Sequence, residues 1–241
     1  MPKGYHAINY GLGYYASSAE IMTFVEAIRR DKIRHALFYD GVNEVSRYLE
    51  KVEIEYKQRL FDHLGFYHPK HTKLSMLNLL EEEFGIPHEY VKHKSKRYTH
   101  AISDDDANGH AKNIIDIYFD NMKTIKGIAN SYDIEPVFFW QPTLFNKAHL
   151  TDREKRIMQE IRPNLVKLIH AVDKELAQRK DNAPARLYFF GELFSQLDAQ
   201  EHFSDWCHVD NDANLLIAQF IADTLHPLFP SVFPGKNPQT K

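Results

Sequence analysis

Apolar and polar residues alternate along the chain in two distinct rhythms. Four short apolar runs, "HAINY" (6–10), "HALFYD" (35–40), "PVFFWQ" (136–141) and "RLYFF" (186–190), show little polar alternation and predict strands covered on both faces. Between them, apolar residues recur at helical spacing. Ser17 and Glu20 form a capping-box pair ahead of Ile21, Phe24, Val25 and Ile28. Val45, Tyr48, Leu49 and Val52 repeat the spacing after the second run, and Ile114, Tyr118, Met122, Ile125 and Ile128 form a long stripe before the third. Thr151 and Glu154 cap a helix read as running on through Ile157, Ile161, Leu165, Leu168 and Val172. A last helix carries Ile217, Phe220, Ile221, Thr224 and Leu225.

Strands alternating with helices imply parallel pairing through crossovers, hence an α/β fold with a three-layer αβα sandwich and a mostly parallel sheet. One domain over residues 1–241 fits that rhythm. Residues 62–105 interrupt it and read as an insertion or cap, and the Pro-rich stretch 230–241 reads as a flexible tail.

Composition narrows the function classes. A net charge of -3 gives no electrostatic case for nucleic acid, whose phosphates select basic surfaces. The single cysteine, Cys207, excludes an internal disulfide and a cysteine-rich zinc site. No apolar run is long enough to span a bilayer, and the first residues lack the apolar core of a secretory leader. The expectation is a soluble, cytoplasmic protein. Histidines cluster at His63, His68 and His71 and again at His88 and His93, but Pro69 breaks the first group and neither has a helical ligand pair with a third donor. They read as solvated loop residues, so no metal and no cofactor is expected. "SDDDANG" lacks the twelfth-position glutamate of a calcium loop, and Asp104 or Asp105 reads as a helix cap.

In an open parallel sheet, ligands bind beyond the carboxyl ends of the strands. Gly11 and Gly13 follow the first run, Gly41 and Asn43 the second, and Asp205 and His208 come after the fourth. Taken singly, the glycines read as turn residues, Asn43 as a helix cap, and Asp205 as a turn former. Taken together, amide donors and an Asp–His pair at one sheet edge suit acyl transfer, where each oxyanion donor is worth roughly 3 kcal/mol.

"AINYGLGYYASSAEIMTFVEAIRRDKIRHALFYDGVNEV" and "DWCHVDNDANLLIAQFIADTL" resemble, in order, blocks of the SGNH (GDSL-type) hydrolase family. The resemblance implies a flavodoxin-like sheet and a serine ester hydrolase acting on a small-molecule, glycan or lipid ester. Carried over, Asn43 of the Gly-x-Asn-Glu motif and the amide of Gly13, with Gly11 as the alternative, donate to the oxyanion. Asp205 orients the ring and His208 is the general base. Ala213 stands where members of the family usually have glycine.

The nucleophile is the departure. Its Gly-Asp-Ser block precedes everything matched here, and no serine in the chain follows Gly or Gly-Asp. Ser17 and Ser18 are the nearest serines, and helix capping accounts for them. The family's central first strand is missing with that block, so strands 6–10 and 35–40 are expected to pair directly, and an incomplete sheet leaves self-association open. Three readings follow: an ester hydrolase, or an N-terminally truncated form of one, whose nucleophile is unknown; a catalytically inactive SGNH-like binding domain; or a structural domain.

Overall fold

The computed structural model describes residues 6–11, 13, 15–53, 101–195 and 200–232. In chain order they form α1 (Ser17–Arg30), β1 (His35–Asp40), α2 (Val42–Glu53), α3 (Asp104–Asn130), β2 (Glu135–Trp140), α4 (Asp152–Glu160), α5 (Pro163–Arg179), β3 (Arg186–Phe189), α6 (Gly191–Ser195) and α7 (Asn211–Leu225). The three strands make one parallel sheet in the order β1-β2-β3, with His35 level with Glu135 and Val137 level with Arg186. The fold is α/β, and three of the four expected strands form within a residue of their predicted bounds. Among the described residues no helix is long and apolar enough to cross a membrane.

The central strand explains its own composition. Side chains alternate across a strand, so Phe138 and Trp140 face one layer while Val137 and Phe139 face the other. The first pair joins Tyr118, Ile115, Leu168 and Val172 of α3 and α5. The second joins Phe190, Phe194, Ile217 and Leu225 on the α6–α7 side. All four β2 residues are buried. Burying each such side chain stabilises the fold by about 1.5–3 kcal/mol, which is why this strand carries no polar alternation. Phe38 stacks on Phe138 with centroids 4.7 Å apart, continuing the α3–α5 layer onto β1.

The expected strand at 6–10 is a correction: residues 6–11 adopt no regular structure, and among the described residues β1 pairs with β2 alone. The Asn9 carboxamide takes the Gly11 amide at 2.8 Å, a local bond that competes with a ladder, and Ile8 lies exposed. The Tyr10 hydroxyl donates to Asp31, tying the segment to the end of α1 instead. The expected pairing of 6–10 with 35–40 therefore does not occur. On β1, Phe38 and Asp40 turn inward while Leu37 and Tyr39 are exposed on the other face.

Caps and breaks account for the remaining differences. The capping box at Thr151 and Glu154 forms as expected. The one at Ser17 and Glu20 does not: Ala16 is the N-cap, and the two side chains turn to partners outside the helix. At α3 the cap is Ser103 paired with Asp106, rather than Asp104 or Asp105. The single helix expected from Thr151 through Val172 divides after Glu160, because Pro163 starts a new helix at its first position. The insertion read at 62–105 and the tail read at 230–241 fall largely outside the described residues, as do His63, His68, His71, His88 and His93.

One glycine is required by geometry. Gly41 turns the chain from β1 into α2 at φ +135°, and a Cβ there would stand 2.9 Å from the Trp140 ring. Gly41→Ala is expected to lower unfolding free energy by about 2 kcal/mol or more, read from a denaturant midpoint shift at unchanged slope.

Candidate functional site

Residues 203–209 fold back on themselves. Phe203 and Val209 form an antiparallel bridge, and the Ser204 amide donates to the His208 carbonyl at 2.9 Å. Inside this loop Asp205 makes an Asx turn, its Oδ1 accepting the amides of Cys207 at 2.8 Å and His208 at 2.7 Å. That fixes the side chain so that Oδ2 lies 2.6 Å from His208 Nδ1. Partial burial works to raise the Asp205 carboxyl. The Cys207 amide, the His208 ring and the His208 amide outweigh it and hold the group below the usual carboxylate range. An ionised carboxylate has no proton to give, so Nδ1 donates and Nε2 is the nitrogen left to accept one. The His208 side chain is 76% exposed.

The loop is pinned to the carboxyl end of the sheet. Leu144, just after β2, donates its amide to the Trp206 carbonyl at 2.9 Å. Trp206 then lines a narrow cleft, partly open to solvent and with room for about one water molecule, together with Gly41, Val42, Trp140, Thr143 and Asp173. The start of α2 and the Asp205–His208 loop therefore border the same cleft. Burial pushes the Asp173 carboxyl up to about 6, against a 2.7 Å hydrogen bond from Asn146.

Asn43 lies in the first turn of α2, one residue past its start, and its Nδ2 donates to the Tyr15 carbonyl at 2.8 Å. Its neighbour Glu44 accepts the Ser17 amide. Two consecutive side chains thus clamp residues 15–17, bringing the segment that follows Gly13 against α2. The carboxamide has a second N–H for a ligand. Gly13 is exposed, with no atom within 4 Å of where a Cβ would be. The structure thus joins Asp205 to His208 directly, and joins Asn43 to the loop of Gly13 through Tyr15.

Two groups of residues escaped the sequence reading. The first is an acidic cluster in the interior at the end of β1. Asp40 at the end of β1 and Glu20 of α1 bring their carboxyls together, the Tyr118 hydroxyl donates to Asp40 Oδ2 at 3.2 Å, and Glu44 lies close enough to act on both. Burial, then the neighbouring Glu20, pushes Asp40 well above the ordinary range, and burial raises Glu20. Two adjacent buried carboxylates repel, which favours a proton on one of them. Burial also pushes Glu44 up to about 7.

The second is a buried ion pair, Lys147 Nζ to Glu154 Oε2 at 2.6 Å, with both side chains inaccessible to solvent. Lys147 also donates to the Gln200 carbonyl. Glu154 accepts the amides of Thr151 at 2.9 Å and His202 at 3.0 Å. The pair anchors the strand of chain that enters the Asp205–His208 loop.

No protein-family model matches the chain, and no curated protein matches it either. The chemistry of these residues is what bears on function.

Proposed function

We propose that this chain is an SGNH-type ester hydrolase in which His208 is the general base, Asp205 orients it, and Asn43 with the Gly13 amide stabilises the oxyanion. The observation that carries the reading is the 2.6 Å contact between Asp205 Oδ2 and His208 Nδ1 in a loop that borders the cleft at the strand ends. Asp205 fixes the tautomer that leaves Nε2 unprotonated. It also stabilises the imidazolium formed when Nε2 takes a proton from the attacking hydroxyl. As the ester carbonyl becomes tetrahedral, the free N–H of Asn43 and the Gly13 amide supply donors for the negative oxygen. The flavodoxin-like, three-layer form of the fold belongs to the same proposal, supported by apolar clusters on both faces of the parallel sheet.

The attacking hydroxyl is not assigned. Ser17 is buried, with its Oγ accepting from Asn121 at 2.8 Å, and Ser204 Oγ donates to the His208 carbonyl. Neither is poised for attack. A second reading, an inactive SGNH-like domain that binds an ester without cleaving it, is favoured by one observation: Asn43 already spends a donor on Tyr15.

Hydrolysis of p-nitrophenyl acetate separates the two. His208→Ala is expected to reduce turnover by about 10²-fold and Asn43→Ala by a similar factor, with folding checked by circular dichroism. Equal rates for wild type and His208→Ala would refute the hydrolase reading. A fluorophosphonate adduct lost in His208→Ala would identify the attacking residue.

A further inference from the structure

We propose that Asp205, Cys207 and His208 form a binding site for zinc or a similar borderline-soft divalent cation, and that filling it removes His208 as a proton acceptor. The first half stands on the geometry of the loop alone; the second deepens the proposed hydrolase reading by assigning its base a metal-controlled off state.

The three side chains offer an oxygen, a sulfur and a nitrogen within four residues, and their donor atoms all lie within 4.8 Å of one another. Cys207 Sγ is 3.6 Å from His208 Nδ1. Zinc binds thiolate sulfur at about 2.3 Å and imidazole nitrogen at about 2.0–2.1 Å, so two such ligands at the tetrahedral angle sit about 3.6 Å apart. The sulfur and nitrogen already have that spacing. A carboxylate oxygen and an imidazole nitrogen on tetrahedral zinc sit about 3.4 Å apart. Asp205 Oδ2 now lies 2.6 Å from Nδ1 and must withdraw by less than about 1 Å to let the ion between them. Its Oδ1 keeps the two loop amides, and the Phe203–Val209 bridge keeps the backbone in place. A mixed nitrogen, sulfur and oxygen set suits zinc rather than magnesium or calcium, which prefer oxygen alone, and three protein ligands leave a fourth position for water.

The consequence for the base follows from counting protons. The cation takes Nδ1, the nitrogen that now donates to Asp205, and the ring proton moves to Nε2. The thiol gives its proton to solvent as Sγ becomes a ligand. Neutral imidazole with a metal on Nδ1 and a proton on Nε2 has no lone pair left to accept a substrate proton. A one-cysteine set is not the cysteine-rich kind that composition excludes.

Cobalt(II) is the probe, because a thiolate ligand gives it a near-ultraviolet charge-transfer band. Cys207 is the only cysteine, so such a band in the full-length, metal-stripped chain can come from no other residue. One cobalt per chain with that band, displaced by zinc, is the expected result. Asp205→Ala and His208→Ala are each expected to weaken binding by about tenfold or more, and Cys207→Ser to abolish the band. Absence of the band, or equal affinity in the Asp205 and His208 variants, would overturn the site. Nitrogen-15 NMR of the zinc-loaded protein reads the second half: zinc on Nδ1 with the proton on Nε2 is expected, and zinc on Nε2 would overturn it. Neither measurement depends on ester turnover, so failure of the hydrolase reading shows separately, in the p-nitrophenyl acetate assay.

Discussion

Glu154→Ala is expected to lower the unfolding free energy by about 3–5 kcal/mol, the cost of leaving a fully buried lysine without its counter-charge. Chemical denaturation at neutral pH measures it. A second variant tells what kind of interaction is lost. Where a buried ion pair is only a pair, apolar replacement of both partners restores most of the stability. Here Lys147 also holds the Gln200 carbonyl, and Glu154 also holds the amides of Thr151 and His202. Lys147→Met with Glu154→Leu therefore strands backbone groups in the interior, each costing about 1–3 kcal/mol. The double variant is expected to stay at least half as destabilised as Glu154→Ala. Recovery to wild-type stability would mean that charge pairing alone matters. Loss of protection at the His202 amide in hydrogen exchange is the local sign that the strand entering the His208 loop has been released.

The second large effect is a dependence of stability on pH. Glu44 is raised from an ordinary value near 4.5 to about 7, first by burial. Between those values the folded state holds a proton that the unfolded state has released. Stability contributed by this group is complete below about pH 4.5 and is lost as pH rises toward 7, by about 1.4 kcal/mol per pH unit. Asp173 acts in the same direction from about 3.8 up to about 6. His35, lowered first by burial, opposes them near its ordinary value of 6.5, so the wild-type curve is a sum. The difference between Glu44→Gln and wild type isolates one contributor. The variant keeps an acceptor for the Ser17 amide, and is expected to match wild type near pH 4.5 and exceed it by about 3 kcal/mol at pH 8. Parallel curves for the two proteins would remove Glu44 from the account.

The sheet was legible where its residues face apolar neighbours on both sides. "PVFFWQ" announced β2 because a strand covered by two layers has no position for a polar side chain, and "RLYFF" announced β3 by the apolar run that follows its exposed Arg186. "HAINY" carried a similar signal and failed, because five residues with an asparagine near the end can satisfy an amide locally. The helix boundary at Pro163 was readable from the proline itself, but the apolar stripe through Ile161 and Leu165 masked it. Asp205 and His208 were legible as a pair because three-residue spacing lets one side chain reach the other without help from the fold.

Contacts distant in sequence were not legible. Glu154 was correctly read as a cap from Thr151, yet nothing nearby says that its carboxylate also reaches Lys147 and His202. Ser17 and Glu20 matched a capping box, but Glu44 of α2 and Asn121 of α3 offered Ser17 bonds that the helix end could not, and Glu20 turned toward Asp40. Asp40 closes an otherwise apolar strand, and that polar terminus was the one local sign of the acidic cluster.

The hairpin that seats Asp205 and His208 has a consequence for how this protein tolerates change. Asp205 and His208 are wired through the backbone of a single seven-residue turn, not assembled from remote parts of the molecule. A shift of that turn carries carboxylate and ring along together as a rigid cartridge. Mutations elsewhere would then reorient the histidine without uncoupling it from its aspartate, and in the proposed hydrolase their damage would lie in alignment rather than in proton affinity.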